Sequence, residues 1–278
     1  MPVVDAHQHF WDVDALEYAW LTPEAGPIYR TFGYEELEPQ LDECGVDATV
    51  LVQAEGSFAD TDAMLALSAR HPRLAAVVGW VPLLDPAATG DALERYGKDP
   101  RYVGVRHQVH DEPDADWILR PAVLESLGLV AARGLTWDQI STVPRHLEHV
   151  PTLAEAHPSL RIVIDHLAKP PIAEGGWEPW AGLLARAASY PNVYAKISGL
   201  DTAASPDWTA DELRRYVDHG LSVFGPERLM WGSDWPVSVL AGGYRRAWNA
   251  IQQLLPAEHR ERVLGGTAID FYRIPGLG

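Results

Sequence analysis

Two histidines stand two positions apart in the opening run Val3-Val4-Asp5-Ala6-His7-Gln8-His9-Phe10-Trp11. On a β-strand the side-chain period is 2, so the spacing predicts that His7 and His9, with Asp5 behind them, share one face. Two imidazoles converging at a strand end could ligate one cation or handle protons together. Near the other end of the chain, Leu229-Met230-Trp231-Gly232-Ser233-Asp234-Trp235-Pro236 is a second apolar run, and it ends on a carboxylate. The two ends make chemical sense together if a sheet closes on itself and sets Asp234 beside the histidines.

Polar groups recur where other apolar runs end: Arg106 and His107, Asp138, Asp165 and His166, Lys196 and Ser198. Each alone could be a hydrogen-bonded core residue or a solvated rim residue. Charges repeated at strand ends inside apolar runs are costly unless they pair with one another or with a ligand. Taken together they point to an active site.

The elements that must position these residues follow a rhythm. Eight apolar runs predict strands over residues 3–10, 48–54, 74–83, 102–109, 135–140, 161–167, 192–200 and 229–236. Several are continuous, such as Val77-Val78-Gly79-Trp80-Val81, as suits strands buried on both faces of a parallel sheet. Helix-like segments fill the gaps: 34–44 before Gly45, 60–71 before Pro72, 86–96, 121–133 before Gly134, 144–157 before Pro158, 177–189, and 209–224 before Gly225-Pro226. No linker or low-complexity tract interrupts them, so residues 1–278 read as one (β/α)8 barrel, with the site at the C-terminal ends of the strands. A doubly wound open sheet is the other fold with this rhythm. It would usually carry a Gly-rich phosphate loop after the first strand, where this chain has His-Gln-His.

Composition narrows the function classes. The net charge of −17 repels phosphate backbones and anionic membranes, so nucleic acid and membrane surfaces are not expected partners. The single cysteine, Cys44, excludes an intramolecular disulfide and a cysteine metal cluster. With no signal-peptide pattern and no long apolar run, a cytoplasmic protein is expected, monomeric or homo-oligomeric, acting on a small molecule.

The motifs His-Gln-His-Phe-Trp (7–11), Val-Gly-Val-Arg-His (103–107), Asp-His-Leu-Ala-Lys-Pro (165–170), Lys-Ile-Ser-Gly-Leu (196–200) and Trp-Gly-Ser-Asp-Trp-Pro (231–236), with Thr267-Ala268 and Phe271-Tyr272 at the close, resemble the amidohydrolase superfamily. More narrowly, they resemble its branch of L-fuconolactonase- and L-rhamnonolactonase-like enzymes. The resemblance implies the barrel and the hydrolysis of a small lactone. Two-metal members of the superfamily carry a strand-4 lysine and a strand-5 histidine, where this chain has Arg106-His107 and Asp138. A two-metal centre is therefore not expected. His7, His9 and Asp234 could hold one Zn²⁺ or Mn²⁺, but no cofactor is expected to be required, because a lactone is an activated ester and positioned cations can replace the metal.

On this reading Asp234 is the general base and His166 orients the water, while His7, His9, Arg106 and His107 polarise the carbonyl or hold the oxyanion. Trp11 and Trp20 are candidate walls for a sugar ring, with Arg30 reaching over the mouth as a second grip. Asp138 and Lys196 are further candidate substrate contacts. Trp235 is expected to desolvate Asp234 and raise its pKa. A sugar-acid (aldono) lactone is the favoured substrate. The alternatives are a dicarboxylate lactone of aromatic catabolism, a metal-dependent decarboxylation and a non-enzymatic binding barrel.

Overall fold

The computed structural model describes residues 1–277. Its eight strands form one parallel sheet in the order β1 to β8. They are β1 Val4–Gln8, β2 Ala48–Val52, β3 Leu74–Gly79, β4 Tyr102–Arg106, β5 Thr136–Gln139, β6 Arg161–Ile164, β7 Val193–Ile197 and β8 Leu229–Trp231. The seam between β8 and β1 is joined by a parallel bridge from Gln8 to Trp235. Asp234 N donates to His7 O at 2.8 Å and His9 N to Trp235 O at 2.7 Å across it. The closure bonds thus lie among the residues of chemical interest, and the sheet is a barrel rather than the doubly wound alternative.

The helices are α1 Tyr34–Cys44, α2 Phe58–Ser68, α3 Pro86–Tyr96, α4 Pro121–Ala132, α5 Pro144–Glu148 and α6 Val150–Ala156. They continue as α7 Trp180–Ala188, α8 Ala210–Phe224, α9 Tyr244–Leu254, α10 Ala257–Glu261 and α11 Thr267–Tyr272. Gly45 closes α1 in the left-handed conformation, its N–H bonded to the carbonyls of Leu41 and Asp42. The segment expected as one helix over 144–157 is two, because Pro151 at the start of α6 cannot donate into the preceding turn. None of the described helices is long and apolar enough to cross a membrane.

Two apolar layers hold the barrel. Val4, Ala6, Val50, Val78, Val163 and Met230 fill the interior together with Phe271 and Tyr272 of α11. A larger layer packs the outer strand faces against the helices. The strands stop short of the apolar runs that predicted them, most of all at the C-terminal end of β8, which stops at Trp231. There the chain leaves the ladder to present polar residues.

Candidate active site

Local backbone irregularities aim the side chains. The β1–β2 pairing shifts register between Asp5 and Gln8, so three steps along β1 match two along β2. This bulge reverses the alternation that the sequence predicted for β1. Ala6 joins the interior cluster, whereas Asp5 turns to Ser233 N, at 2.8 Å. Asp5 and His7 therefore do not share a face. His7 instead lies among the strand-end groups inside the barrel, next to His9. Gly232 allows that approach, since a Cβ there would lie 2.5 Å from His7 Cβ.

After β6 the chain makes a left-handed turn of four non-glycine residues, His166, Leu167, Ala168 and Lys169, with φ between 47° and 61°. Such a conformation costs about 1–2 kcal/mol per residue. Asp234 is left-handed too, with φ 54°. Gly199 (φ 55°) is obligatory for a second reason, because a Cβ would stand 2.6 Å from Asp234 Oδ2 and 2.9 Å from His166 Nδ1. Strain of this kind persists only where the surrounding structure over-determines it, and it clusters at functional sites.

The side chains that result form two tiers. In the tier facing the barrel mouth, Asp234 Oδ1 lies 3.5 Å from His9 Nε2, 3.7 Å from His7 Nε2 and 3.9 Å from His166 Nε2. His9 Nδ1 is 2.8 Å from the Val52 carbonyl, to which it must donate, so Nε2 is the nitrogen left to face Asp234 and His7. His166 Nδ1 bonds Ser198 Oγ at 2.8 Å. Lys169 Nζ donates to Gly199 O at 3.0 Å and to Thr202 Oγ1 at 2.8 Å, which leaves one of its three hydrogens.

The lower tier is sealed. Lys196 Nζ lies 2.6 Å from Asp138 Oδ2, 3.0 Å from Asp165 Oδ1 and 3.0 Å from His7 Nδ1. Tyr272 donates to Asp138 from below at 2.7 Å. Arg106 Nε sits 3.4 Å from Asp165 Oδ2, an ion pair by distance that lacks hydrogen-bond geometry. His7 Nδ1 thus faces a donor, Lys196, and an acceptor, Asp165 Oδ1 at 3.3 Å. Either tautomer has a partner, so Nε2 can present a proton or a lone pair upward.

Electrostatics separate the carboxyl groups. Burial pushes the Asp234 carboxyl up, but His166, His9 and Lys169 beside it reverse this and hold it well below the usual carboxylate range. The expected upward shift from Trp235 is not found, since that ring packs against Phe10 and Phe32 instead. Asp165 behaves similarly: burial raises it, and Lys196 and His7 bring it far down. Asp138 stays above its ordinary value because burial outweighs Lys196. Burial lowers His166 to about 3 and, with Lys196, puts His7 well below its usual value, so both are neutral near pH 7.

A cavity of about 200 Å³ opens above the upper tier, lined by His9, His166 and Asp234, with Arg106, Lys169, Trp20 and Trp11 in its wall. Several sequence expectations are corrected here. Asp138 and Lys196 are fully buried in the lower tier and do not line the cavity. His107 lies outside it too, accepting from Trp80 Nε1 at 3.0 Å, bonding Glu112 at 2.8 Å and stacking on Trp117. This packing pins the loop after β4. Arg30 is half exposed, paired with Glu36 over the Phe32 ring, and does not reach the mouth. Trp11 is almost fully buried, its Nε1 bonded to the Arg30 carbonyl, so it backs the wall rather than presenting a ring face.

Sequence reasoning passed over Gln53, Gln108, His110 and Lys169, all in the cavity wall. Gln53 ends the apolar run Val50-Leu51-Val52, the same signal that marked the other strand ends. Lys169 lay three residues beyond His166, and only the left-handed turn brings it back.

His7 Nε2, His9 Nε2 and Asp234 Oδ1 are 3.0–3.7 Å apart. Tetrahedral Zn²⁺ with ligands at about 2.0–2.1 Å would space its donors about 3.3 Å apart. The three donors fit one such ion.

The sequence profile of the amidohydrolase family matches residues 4–274. An L-fucono-1,5-lactonase of Burkholderia ambifaria is 42% identical over 278 residues, spanning 98% of this chain and 95% of that protein. An L-fucono-1,5-lactonase of Burkholderia multivorans is 33% identical, with 98% and 96% covered. A crystal structure of an amidohydrolase from Burkholderia multivorans with bound zinc superposes with a TM-score of 0.91, at 31% identity, over 99% of this chain and 100% of that one.

Proposed function

The chain belongs to the amidohydrolase family, and from that premise we propose that it hydrolyses a sugar-acid lactone to the open hydroxy acid. The observation that carries this reading is an ionised, buried Asp234 with three imidazoles within 4 Å, facing a cavity of about 200 Å³. The near full-length likeness to two L-fucono-1,5-lactonases supports the substrate class.

Water held between Asp234 and His166 gives a proton to Asp234 as its oxygen bonds to the lactone carbonyl carbon. Negative charge develops on the carbonyl oxygen, where the Arg106 guanidinium and the spare hydrogen of Lys169 can receive it. Collapse of the tetrahedral intermediate breaks the ring C–O bond. The proton held by Asp234 passes to the departing alkoxide, giving the hydroxyl of the product, and the carboxylate is restored. Burial keeps His166 neutral, so it can accept or donate a hydrogen bond to the water without adding charge.

His7, His9 and Asp234 are the residues that would hold a divalent ion. Bound there, Zn²⁺ or Mn²⁺ would polarise the carbonyl and acidify water. We assign the electrostatic role to Arg106 and Lys169 and expect prolonged chelation to leave substantial activity. The single cysteine fits a reducing cytosolic compartment.

A pH-stat screen of aldonolactones, with metal content measured in parallel, tests reaction and substrate together. Acid release from an aldonolactone by chelated enzyme supports the assignment. Preference for a dicarboxylate lactone over every neutral aldonolactone would move the substrate class. Complete loss on chelation, restored by Zn²⁺ or Mn²⁺, would overturn metal independence.

A further inference from the structure

Gln53 follows β2, and its backbone N–H is tied to the Val78 carbonyl at 2.9 Å. The side chain is fully buried, yet neither its Oε1 nor its Nε2 has a hydrogen-bond partner among the described residues. The side chain is part of the cavity wall, beside His9 and Trp20. Two polar groups of the same wall are already taken: Trp20 Nε1 donates to Ala54 O at 2.7 Å and His9 Nδ1 is taken by Val52 O. An orphaned buried polar group costs about 1–3 kcal/mol, and a native protein keeps one when something else completes it. Here two orphans sit on one carboxamide at the wall of the reaction cavity.

We propose that Gln53 determines specificity by reading a ring hydroxyl of the lactone, its amide supplying the donor and acceptor that the hydroxyl complements. This deepens the lactonase reading and rests on it. A carboxamide is neutral and has both an acceptor and two donors, so it suits a hydroxyl group, which both gives and takes a hydrogen bond. A substrate carboxylate only accepts, and would leave Oε1 unmatched. Arg106 and Lys169 serve the carbonyl end, so the substrate class this wall selects is a polyhydroxylated lactone rather than a bare or carboxylated ring. Sites built to bond a substrate hydroxyl reject the analogue lacking it, because the site's own polar groups are left unpaired.

The test is a cycle between the side chain and the substrate. Purified wild-type enzyme and Gln53→Met are assayed for kcat/KM on an aldonolactone and on its series of monodeoxy analogues. Methionine keeps length and removes both polar atoms, so the variant is expected to fold, with Tm unchanged or raised. The wild type should lose about 5- to 150-fold on one deoxy analogue, the range that 1–3 kcal/mol converts to, while Gln53→Met should treat that analogue and the parent lactone alike. If the variant discriminates the whole series as the wild type does, the proposal is overturned. It is also overturned if the variant loses equally on every analogue, because that is a packing role. A wild type that opens no aldonolactone at all defeats the lactonase reading itself, an outcome distinguishable from the other two because there the wild type is active.

Discussion

The upper and lower tiers of the site use the same residue types for opposite purposes. Above, Asp234 faces the cavity with imidazoles around it and, among the described residues, no direct ion pair to Lys or Arg. Below, Asp138 and Asp165 share one ammonium, Lys196, and are sealed from solvent. The upper carboxylate is kept ionised without being locked to a cation, so it can exchange a proton with water. In the lower pair the carboxylates neutralise a cation, and that cation orients His7. What separates the proposed reacting group from its proposed support is which side of His7 it occupies, not its chemistry.

Removing the proposed base should have the largest effect. Asp234→Asn is expected to lower kcat by about 10²–10⁴-fold with the fold intact, measured by lactone hydrolysis and circular dichroism. A folded variant that keeps more than about a tenth of the activity would remove Asp234 from the role of base.

Lys196→Met should act first on stability. Removing one partner of a buried ion pair typically costs about 3–5 kcal/mol, because the charges left behind are uncompensated. Urea unfolding should show that loss, and adding Asp138→Asn to the variant should recover part of it. A loss below about 1 kcal/mol would mean that the lower tier is not held by the ammonium.

Asp60 tests what burial does to a carboxylate that lacks such a cation. Its Oδ2 accepts from the N–H groups of Ala54 and Glu55 at 3.0 and 3.2 Å, and burial pushes its pKa to about 7. Because the folded value is raised, its contribution to stability is fully present below the unfolded value near about 4 and is lost as pH rises to about 7. Wild-type stability should therefore fall relative to Asp60→Asn between those limits, by up to about 2–4 kcal/mol, and the two curves should approach each other in acid. Asn keeps an acceptor for the backbone, so parallel curves would show that Asp60 does not titrate in this window.

The smallest effect is expected at Arg30. Its ion pair with Glu36 is exposed at both ends, and such pairs contribute about 0–1 kcal/mol. Arg30→Ala should leave kcat/KM within about twofold, as changes away from the site usually do. A large rise in KM would return Arg30 to the mouth.

Much of this arrangement was legible in the chain. Continuous apolar runs separated by helix-length segments predicted the barrel, because strands covered on both faces need apolar residues at every position. Polar residues at the ends of those runs marked His7, His9, Arg106, His166 and Asp234, since a charge inside an apolar run has to have a partner. The same rule also selected Asp138 and Lys196, but a linear pattern carries no depth, and these two pair with one another beneath the site. His107 was misplaced because alternation at the end of β4 turned it toward Trp80 and Trp117.

The sequence by itself determined the fold class and the inventory of reactive groups, because hydrophobic periodicity and the cost of burying charge act along the chain. Only the tertiary structure decided which groups meet. The bulge in β1 separated Asp5 from His7, and the left-handed turn after β6 returned Lys169 to the cavity. The closing seam set Asp234 against His9. Each depends on contacts between residues far apart in the chain, whose packing overrides the local preference for regular strand and right-handed backbone.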